Sequence, residues 1–367
     1  MERPSLQNLE TPAALVDVER VAANLGRVGD YARQHGLRWR PHTKTHKVPE
    51  LAALQLQAGA SGLTVATPHE ATVMASVSDD VFLAYPPVGA ARLGRLMRLP
   101  SHVRLTVALD SREALKELSA AARQAGRTVG VLVELDLGMR RVGVQSPAEA
   151  LALAQEIAAT EAVEYRGITF YPGHVRALLG DQDSALNALS SQLEEFIGTL
   201  SRASLRPQVV SGGSTPTLWR SHEVRGLTEI RPGINIFNDR NSAAVGACGP
   251  EEWAYSVLAT VVSTAVPDQA VIDAGAKALA KEEGVDPEGG YGVLLEWPDV
   301  VVRGLSEEHG LLDLSGTEWR PRVGDRVRVV PNHVCTSVNL HERLWAVRGG
   351  TVERAWSVTG RGWGAPP

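Results

Sequence analysis

The sequence has 367 residues, of which 44% are hydrophobic and 22% charged, with a formal net charge of −5. This is globular composition, long enough for one large domain plus a smaller one, and it argues against a nucleic-acid binder or a protein held on anionic membranes. The N-terminal MERPSLQNLETP has no apolar core and no apolar run approaches the roughly 20 residues of a membrane span, so a cytoplasmic protein is expected. Two cysteines, Cys248 and Cys335, cannot build a disulfide scaffold in so long a chain; a thiol that matters here is reactive or binds metal.

From Ala13 to about Arg240, short β-branched runs alternate with alanine- and leucine-rich stretches, the rhythm of βα units around a parallel sheet. The strand candidates are AALVD (13–17), LRWRPH (37–42), GLTVAT (62–67), VFLAY (81–85), VRLTVAL (103–109), VGVLVEL (129–135), YRGITFY (165–171) and QVVSG (208–212). Between them lie helical pieces such as SREALKELSAAARQAG (111–126), with Ser111 as N-cap and Gly126 as stop. About eight such strands suit a closed (β/α)8 barrel, and no glycine-rich dinucleotide fingerprint follows the first strand. After about Gly246 the runs 253–266, 270–275, 292–305, 325–334 and 343–356 are short, β-branched and broken by Gly, Pro or Asp, as in an antiparallel β domain. Six of the eight tryptophans (253, 297, 319, 345, 356 and 363) fall there, and core packing accounts for them. The expected division is a barrel over 13–245 and a β domain over 246–367, with residues 1–12 packing on the β domain.

Four stretches could carry chemistry. RPHTKTHK (40–47) follows a strand candidate; alternation along an extended chain places Arg38, Arg40, His42 and Lys44 on one face and Trp39 and Thr43 on the other. At the C-terminal end of a barrel strand that cluster faces the usual place of catalysis, but a solvated basic loop has the same composition. VELDLGMRRVGV (133–144) sets Arg140 and Arg141 beyond an apolar run, fit either to neutralise an anion or to sit on a surface loop. SGGSTPT (211–217) and EIRPGINIFND (229–239) offer glycine-rich backbone N–H groups and hydroxyls after the last strands of the expected barrel, where such folds often bind phosphate; two structural turns remain the alternative. In PNHVC (331–335), His333 and Cys335 project to one side of an extended chain and match the ligand types of zinc, although a buried thiol beside a histidine needs no metal.

Together with TPAALVD (11–17), TFYPGH (169–174), DAGAKAL (273–279) and SEEHG (306–310), these motifs resemble the fold-type III, alanine-racemase-like pyridoxal-phosphate enzymes, and among them the D-threonine aldolase and D-serine dehydratase family. The resemblance implies a (β/α)8 barrel of alanine-racemase type that carries pyridoxal 5'-phosphate, a mainly antiparallel β domain that carries a divalent metal (Zn or Mn), and a homodimer. It makes Lys44 the lysine bonded to the cofactor, with Lys47 a supporting charge, and puts Arg141 beside the phenolic oxygen. Gly233 and Ile234, helped by Ser214 and Thr215, take the phosphate. Tyr171 and His174 touch cofactor and substrate, Arg231 faces the pyridine nitrogen, and His333 and Cys335 hold the metal. Glu308, His309, Asp273 and Lys277 are left between a place near the metal and a turn-forming role.

The implied substrates are D-3-hydroxy-α-amino acids. Dehydration of the D-serine or D-threo-3-hydroxyaspartate kind is favoured slightly over retro-aldol cleavage to glycine and an aldehyde, because His-x-Cys resembles the dehydratases where the aldolases resemble His-x-Asp. An amino-acid racemase would share Lys44, Arg141 and RPGI but has no use for PNHVC. A non-catalytic cofactor carrier lacks a C-terminal β domain.

Overall fold

A computed structural model describes residues 5–285 and 289–364. The first four residues of the expected N-terminal packing segment, and residues 286–288 and 365–367 of the expected β domain, lie outside that range. The chain divides into two compact units, one of residues 1–26 with 234–359 and the other of 27–233 with 360–367.

The second unit holds eight parallel strands: Arg38–Trp39, Leu63–Val65, Asp80–Leu83, Arg104–Leu109, Val129–Leu135, Val163–Phe170, Val209–Gly212 and Glu229–Ile230. Neighbours in this series pair in parallel from Leu63–Val65 through to Glu229–Ile230, which pairs in turn with Arg38–Trp39. A parallel bridge between His42 and Thr64, with the Thr64 N–H donating to Pro41 O at 2.9 Å, brings the first strand's continuation against the next strand and closes the barrel. Every residue of Val129–Leu135 is buried, as a parallel strand covered on both faces requires. The helix Arg112–Gln124 starts where expected: Ser111 Oγ accepts from the Ala114 N–H, and Gly126, at φ +64°, ends it in the left-handed conformation a side chain would resist. Phe82, Ala108 and Leu132 form an apolar plug inside the barrel.

The other unit is a mixed, mainly antiparallel sheet of nine strands. Tyr255–Ser263 is its hub, pairing antiparallel with Ala13–Asp17, Gln269–Ile272 and Arg326–Pro331. AALVD is therefore a strand, but not of the barrel. Its first four residues are all buried, a pattern that suits either sheet, and it pairs here with Tyr255–Ser263 and in parallel with Arg343–Arg348. The eighth barrel strand is instead Glu229–Ile230, two residues too short to show a period. Packing accounts for most of the tryptophans: Trp253 and Trp356 are buried and Trp297 stacks on Trp319 at 4.3 Å, whereas Trp363 is 79% exposed.

Candidate active site

Lys44 sits on a single helical turn, Thr43–Thr45, not on an extended strand. Pro41 removes a ladder donor and regular pairing stops at Trp39, so the alternation expected through Lys44 does not hold. His42 caps the turn, its Nδ1 accepting from the Lys44 backbone N–H at 3.4 Å. Thr43 Oγ1 donates to Thr64 O at 3.1 Å and anchors the turn to the neighbouring strand. Arg40 leaves the group altogether. It is buried, donating from Nε to Glu229 Oε2 at 3.0 Å and from Nη1 to Asp80 Oδ1 at 2.6 Å, and both carboxylates stand at the N-terminal ends of their strands.

The two lysines of the motif differ in their surroundings. Lys47 Nζ lies 3.6 Å from Glu70 Oε1, and its carbonyl accepts from Gly360 N–H, so it is a structural charge. Lys44 makes no ion pair among the described residues; its Nζ lies 5.8 Å from the centre of the Tyr171 ring, and the Arg141 guanidinium lies 5.2 Å from the same centre. His46 is buried and neutral: its ring accepts from the Val48 N–H and bonds Gln55, and burial brings its pKa down to about 4. His42 feels both its burial and the positive charges around it: its pKa is driven well below its ordinary value by burial and by Lys44, Arg231 and Arg141. Lys44, Tyr171, Arg141 and Arg231 thus converge. His174 is exposed and lies against Gly138, where an added Cβ would come within 3.0 Å of its ring.

Sequence reasoning missed Glu134. It lies at the end of a barrel strand, in register with Thr169, and is buried; burial pushes its pKa up to about 7, against the pull of Arg231 and Arg141. A lone Glu in an otherwise apolar run of seven was the available signal.

The candidate phosphate loops follow the last two barrel strands. The backbone N–H groups of Gly213, Thr215 and Gly233 have no acceptor among the described residues, so the loops present donors to an anion. Ser214 is partly used: its Oγ lies 3.0 Å from Thr217 Oγ1. Gly212 packs on Phe170, and a Cβ at Gly233 would meet His42 O at 2.7 Å and Thr45 Oγ1 at 2.9 Å, so the loop runs close against the lysine turn. Ile234 begins the next turn, Ile234–Ile236. A lysine outside any described ion pair, an aromatic ring, arginines and open N–H donors fit an aldehyde-bearing, phosphorylated aromatic cofactor.

PNHVC is likewise not extended. The strand Arg326–Pro331 stops, and His333 is the N-cap of the helix Val334–Val338, which carries Cys335 in its first turn. The side chains meet nonetheless: burial alone would lower the His333 pKa, but Cys335 and Asp239 push it up to about 11. Asp239 is fully buried and went unrecognised in the sequence. Its Oδ2 accepts from His333 Nδ1 at 3.1 Å and from the Val334 N–H at 3.1 Å, and its Oδ1 from the N–H and hydroxyl of Ser242. A carboxylate holding the Nδ1 proton leaves Nε2 as the nitrogen that binds a metal once its own proton is displaced, the arrangement common behind metal-bound histidines. Among the described residues no third His, Cys, Asp or Glu joins the pair in a metal-binding group, so a cation held there keeps open positions.

The remaining candidates make the following contacts. Asp273 accepts from Thr11 Oγ1 at 2.6 Å and from the Thr260 N–H at 2.8 Å. Lys277 pairs on the surface with Glu307 and Glu308, and His309 N–H lies close behind Gly275.

Comparison with known proteins agrees with this fold. Residues 16–241 match "Alanine racemase, N-terminal domain" and residues 254–347 match "Putative serine dehydratase domain". A D-threonine aldolase from Arthrobacter sp is 32% identical, over 97% of this chain and 94% of its own. The crystal structure of D-threonine aldolase from Filomicrobium marinum superposes with a TM-score of 0.91 at 30% identity, covering 98% of both chains. A mutant of D-threo-3-hydroxyaspartate dehydratase in the metal-free form superposes at 0.88 with 29% identity, covering 98% of this chain and 100% of its own. The chain belongs to the D-threonine aldolase and D-serine dehydratase family of alanine-racemase-like, pyridoxal-phosphate-dependent enzymes.

Proposed function

We propose that this protein is a lyase dependent on pyridoxal phosphate and a divalent metal (Zn or Mn), acting on D-3-hydroxy-α-amino acids by dehydration. The observation that carries the reading is Lys44, held without a described carboxylate partner on a rigid turn beside Tyr171 and Arg141. Bound there, the cofactor supplies an electron sink for negative charge developing at the substrate's α-carbon. Lys44 would hold the cofactor, and its amine when free would serve as the base for the substrate's α-proton. Gly233 and Ile234 N–H, with Ser214 and Thr215, bind the phosphate. Arg141 would stand by the phenolic oxygen and Arg231 by the ring nitrogen; a guanidinium donates only, so that nitrogen would keep its lone pair. Tyr171 supports this group, and exposed His174 contacts the substrate. His333, oriented by Asp239, and Cys335 hold the metal, a Lewis acid for a hydroxyl leaving group.

Dehydration is favoured over retro-aldol cleavage because Cys335 occupies the second ligand position. The D-threonine aldolases among the relatives keep the second reading in play. Purified enzyme incubated with D-serine, D-threonine and D-3-hydroxyaspartate separates them: keto acid and ammonia support dehydration, while glycine and an aldehyde without keto acid refute it. Loss of activity on chelation, restored by Zn²⁺ or Mn²⁺, supports the metal. We further propose a cytoplasmic homodimer; no described helix is long and apolar enough to cross a membrane.

A further inference from the structure

Arg40, the first residue of the basic motif, has no part in the chemistry above, yet it is buried and linked in a string to three other ionic or polar side chains that the site does not use. Arg231 donates from Nη1 to Ser211 Oγ at 2.7 Å and from Nη2 to Phe170 O at 3.0 Å, with its guanidinium 5.3 Å from the centre of the Phe82 ring. Ser211 Oγ lies 2.6 Å from Glu229 Oε1. The hydroxyl has one proton and the carboxylate none, so that proton goes to Glu229 and the serine lone pairs face Arg231. Glu229 Oε2 accepts from Arg40 Nε at 3.0 Å, and Arg40 closes a fork on Asp80 at 2.6 and 3.3 Å. At its outer end Asp80 accepts from the mostly exposed Arg104 at 3.2 Å. Every hydrogen bond in this string has one possible direction, and positive and negative charges alternate along it.

Such a string is a poor way to stabilise a barrel. Desolvating buried ions offsets most of their attraction, and barrel interiors are ordinarily packed with branched apolar residues. Its inner end restrains two of the five N–H donors of Arg231 and fixes the rotation of the guanidinium plane; the other three have no protein partner among the described residues.

We propose that Ser211 and Glu229, backed by Arg40 and Asp80, are positioning residues that lock Arg231 in the orientation needed to hold the cofactor's ring nitrogen. This rests on the reading of Arg231 given above. The test uses the full chain reconstituted with pyridoxal 5'-phosphate, with two readouts: the pH titration of the visible band of the bound cofactor, and cofactor affinity measured by titrating the apoprotein. Ser211→Ala cuts the string at its inner hydroxyl and leaves the Glu229, Arg40 and Asp80 ion pairs in place, so the fold is retained. It is expected to shift the titration and weaken cofactor binding by on the order of tenfold, the lower end of what losing an outer hydrogen-bond partner of a functional group costs. Ser211→Thr, which keeps the hydroxyl, is expected to restore both, and Glu229→Gln to reproduce the shift. If Arg231→Lys shifts the titration but Ser211→Ala and Glu229→Gln do not, the positioning role is refuted and the reading of Arg231 stands. If Arg231→Lys changes nothing, that reading fails and the proposal with it. A Ser211→Thr variant that behaves like the Ser211→Ala variant assigns the effect to packing and also overturns the proposal.

Discussion

Replacing Asp239 with Asn changes one oxygen for an NH2 group and almost nothing in volume, so its consequences can be worked from the four hydrogen bonds the carboxylate accepts. On one side Oδ1 takes the N–H and hydroxyl of Ser242 at 2.8 and 2.6 Å; on the other, Oδ2 takes the Val334 N–H and His333 Nδ1 at 3.1 Å each. Whichever way the amide turns, its NH2 meets a backbone N–H that cannot reverse. If it faces His333, the ring must offer Nδ1 as acceptor, which moves its proton to Nε2 and removes the lone pair a metal needs. If it faces Ser242, the hydroxyl can turn but the N–H is stranded. One buried donor without a partner, plus the loss of charge assistance in the bonds that remain, amounts to about 2–4 kcal/mol. Urea unfolding of metal-stripped Asp239→Asn followed by tryptophan fluorescence is expected to show that loss. Zn²⁺ titration against a competing chelator is expected to show affinity reduced by roughly ten- to hundredfold. Wild-type zinc affinity in a variant that has lost the stability would refute the orientation of His333 by Asp239; unchanged stability would refute the hydrogen-bond reasoning itself.

Lys44→Ala is expected to abolish the visible absorbance of bound cofactor and Lys47→Ala to keep it; borohydride reduction and peptide mapping on the wild type should find the cofactor on Lys44. Gly212→Ala drives a methyl to 2.5 Å from the Phe170 ring and is expected to lower stability by about 1–3 kcal/mol in urea unfolding. Glu134 carries a pKa raised from 4.5 to about 7, so the folded apoprotein holds a proton that the unfolded chain releases. Its contribution to stability is present below pH 4.5 and is lost as pH rises through about 7, at up to about 1.4 kcal/mol per pH unit. The difference in apoprotein stability between Glu134→Gln and wild type should therefore grow from pH 4.5 to 7 in the variant's favour. A flat difference would refute a buried, proton-holding carboxyl.

Much of the barrel was legible because parallel strands buried on both faces write themselves as apolar runs: VGVLVEL is a strand from its first residue to its last, and the helix after Ser111 begins and ends at its cap and its glycine. Lys44, Arg141 and the pair His333 and Cys335 were reached by resemblance; spacing alone left a solvated loop open and favoured a buried thiol over a metal ligand. The two geometric arguments offered for them, alternation through RPHTKTHK and an extended PNHVC, gave way to a helical turn and a helix cap, since a proline and a local hydrogen bond decide conformation over three or four residues.

What the sequence by itself determined is the kind of most of the elements, because propensity, periodicity and capping act between residues a few positions apart. Only the tertiary structure decided partners. Ala13–Asp17 joined the mixed sheet although its pattern suited a barrel, Arg40 turned from Lys44 to Asp80 and Glu229, and Asp239 took His333, 94 residues along the chain. A buried charge goes wherever an opposite charge can satisfy it, and that choice is made by the folded chain as a whole.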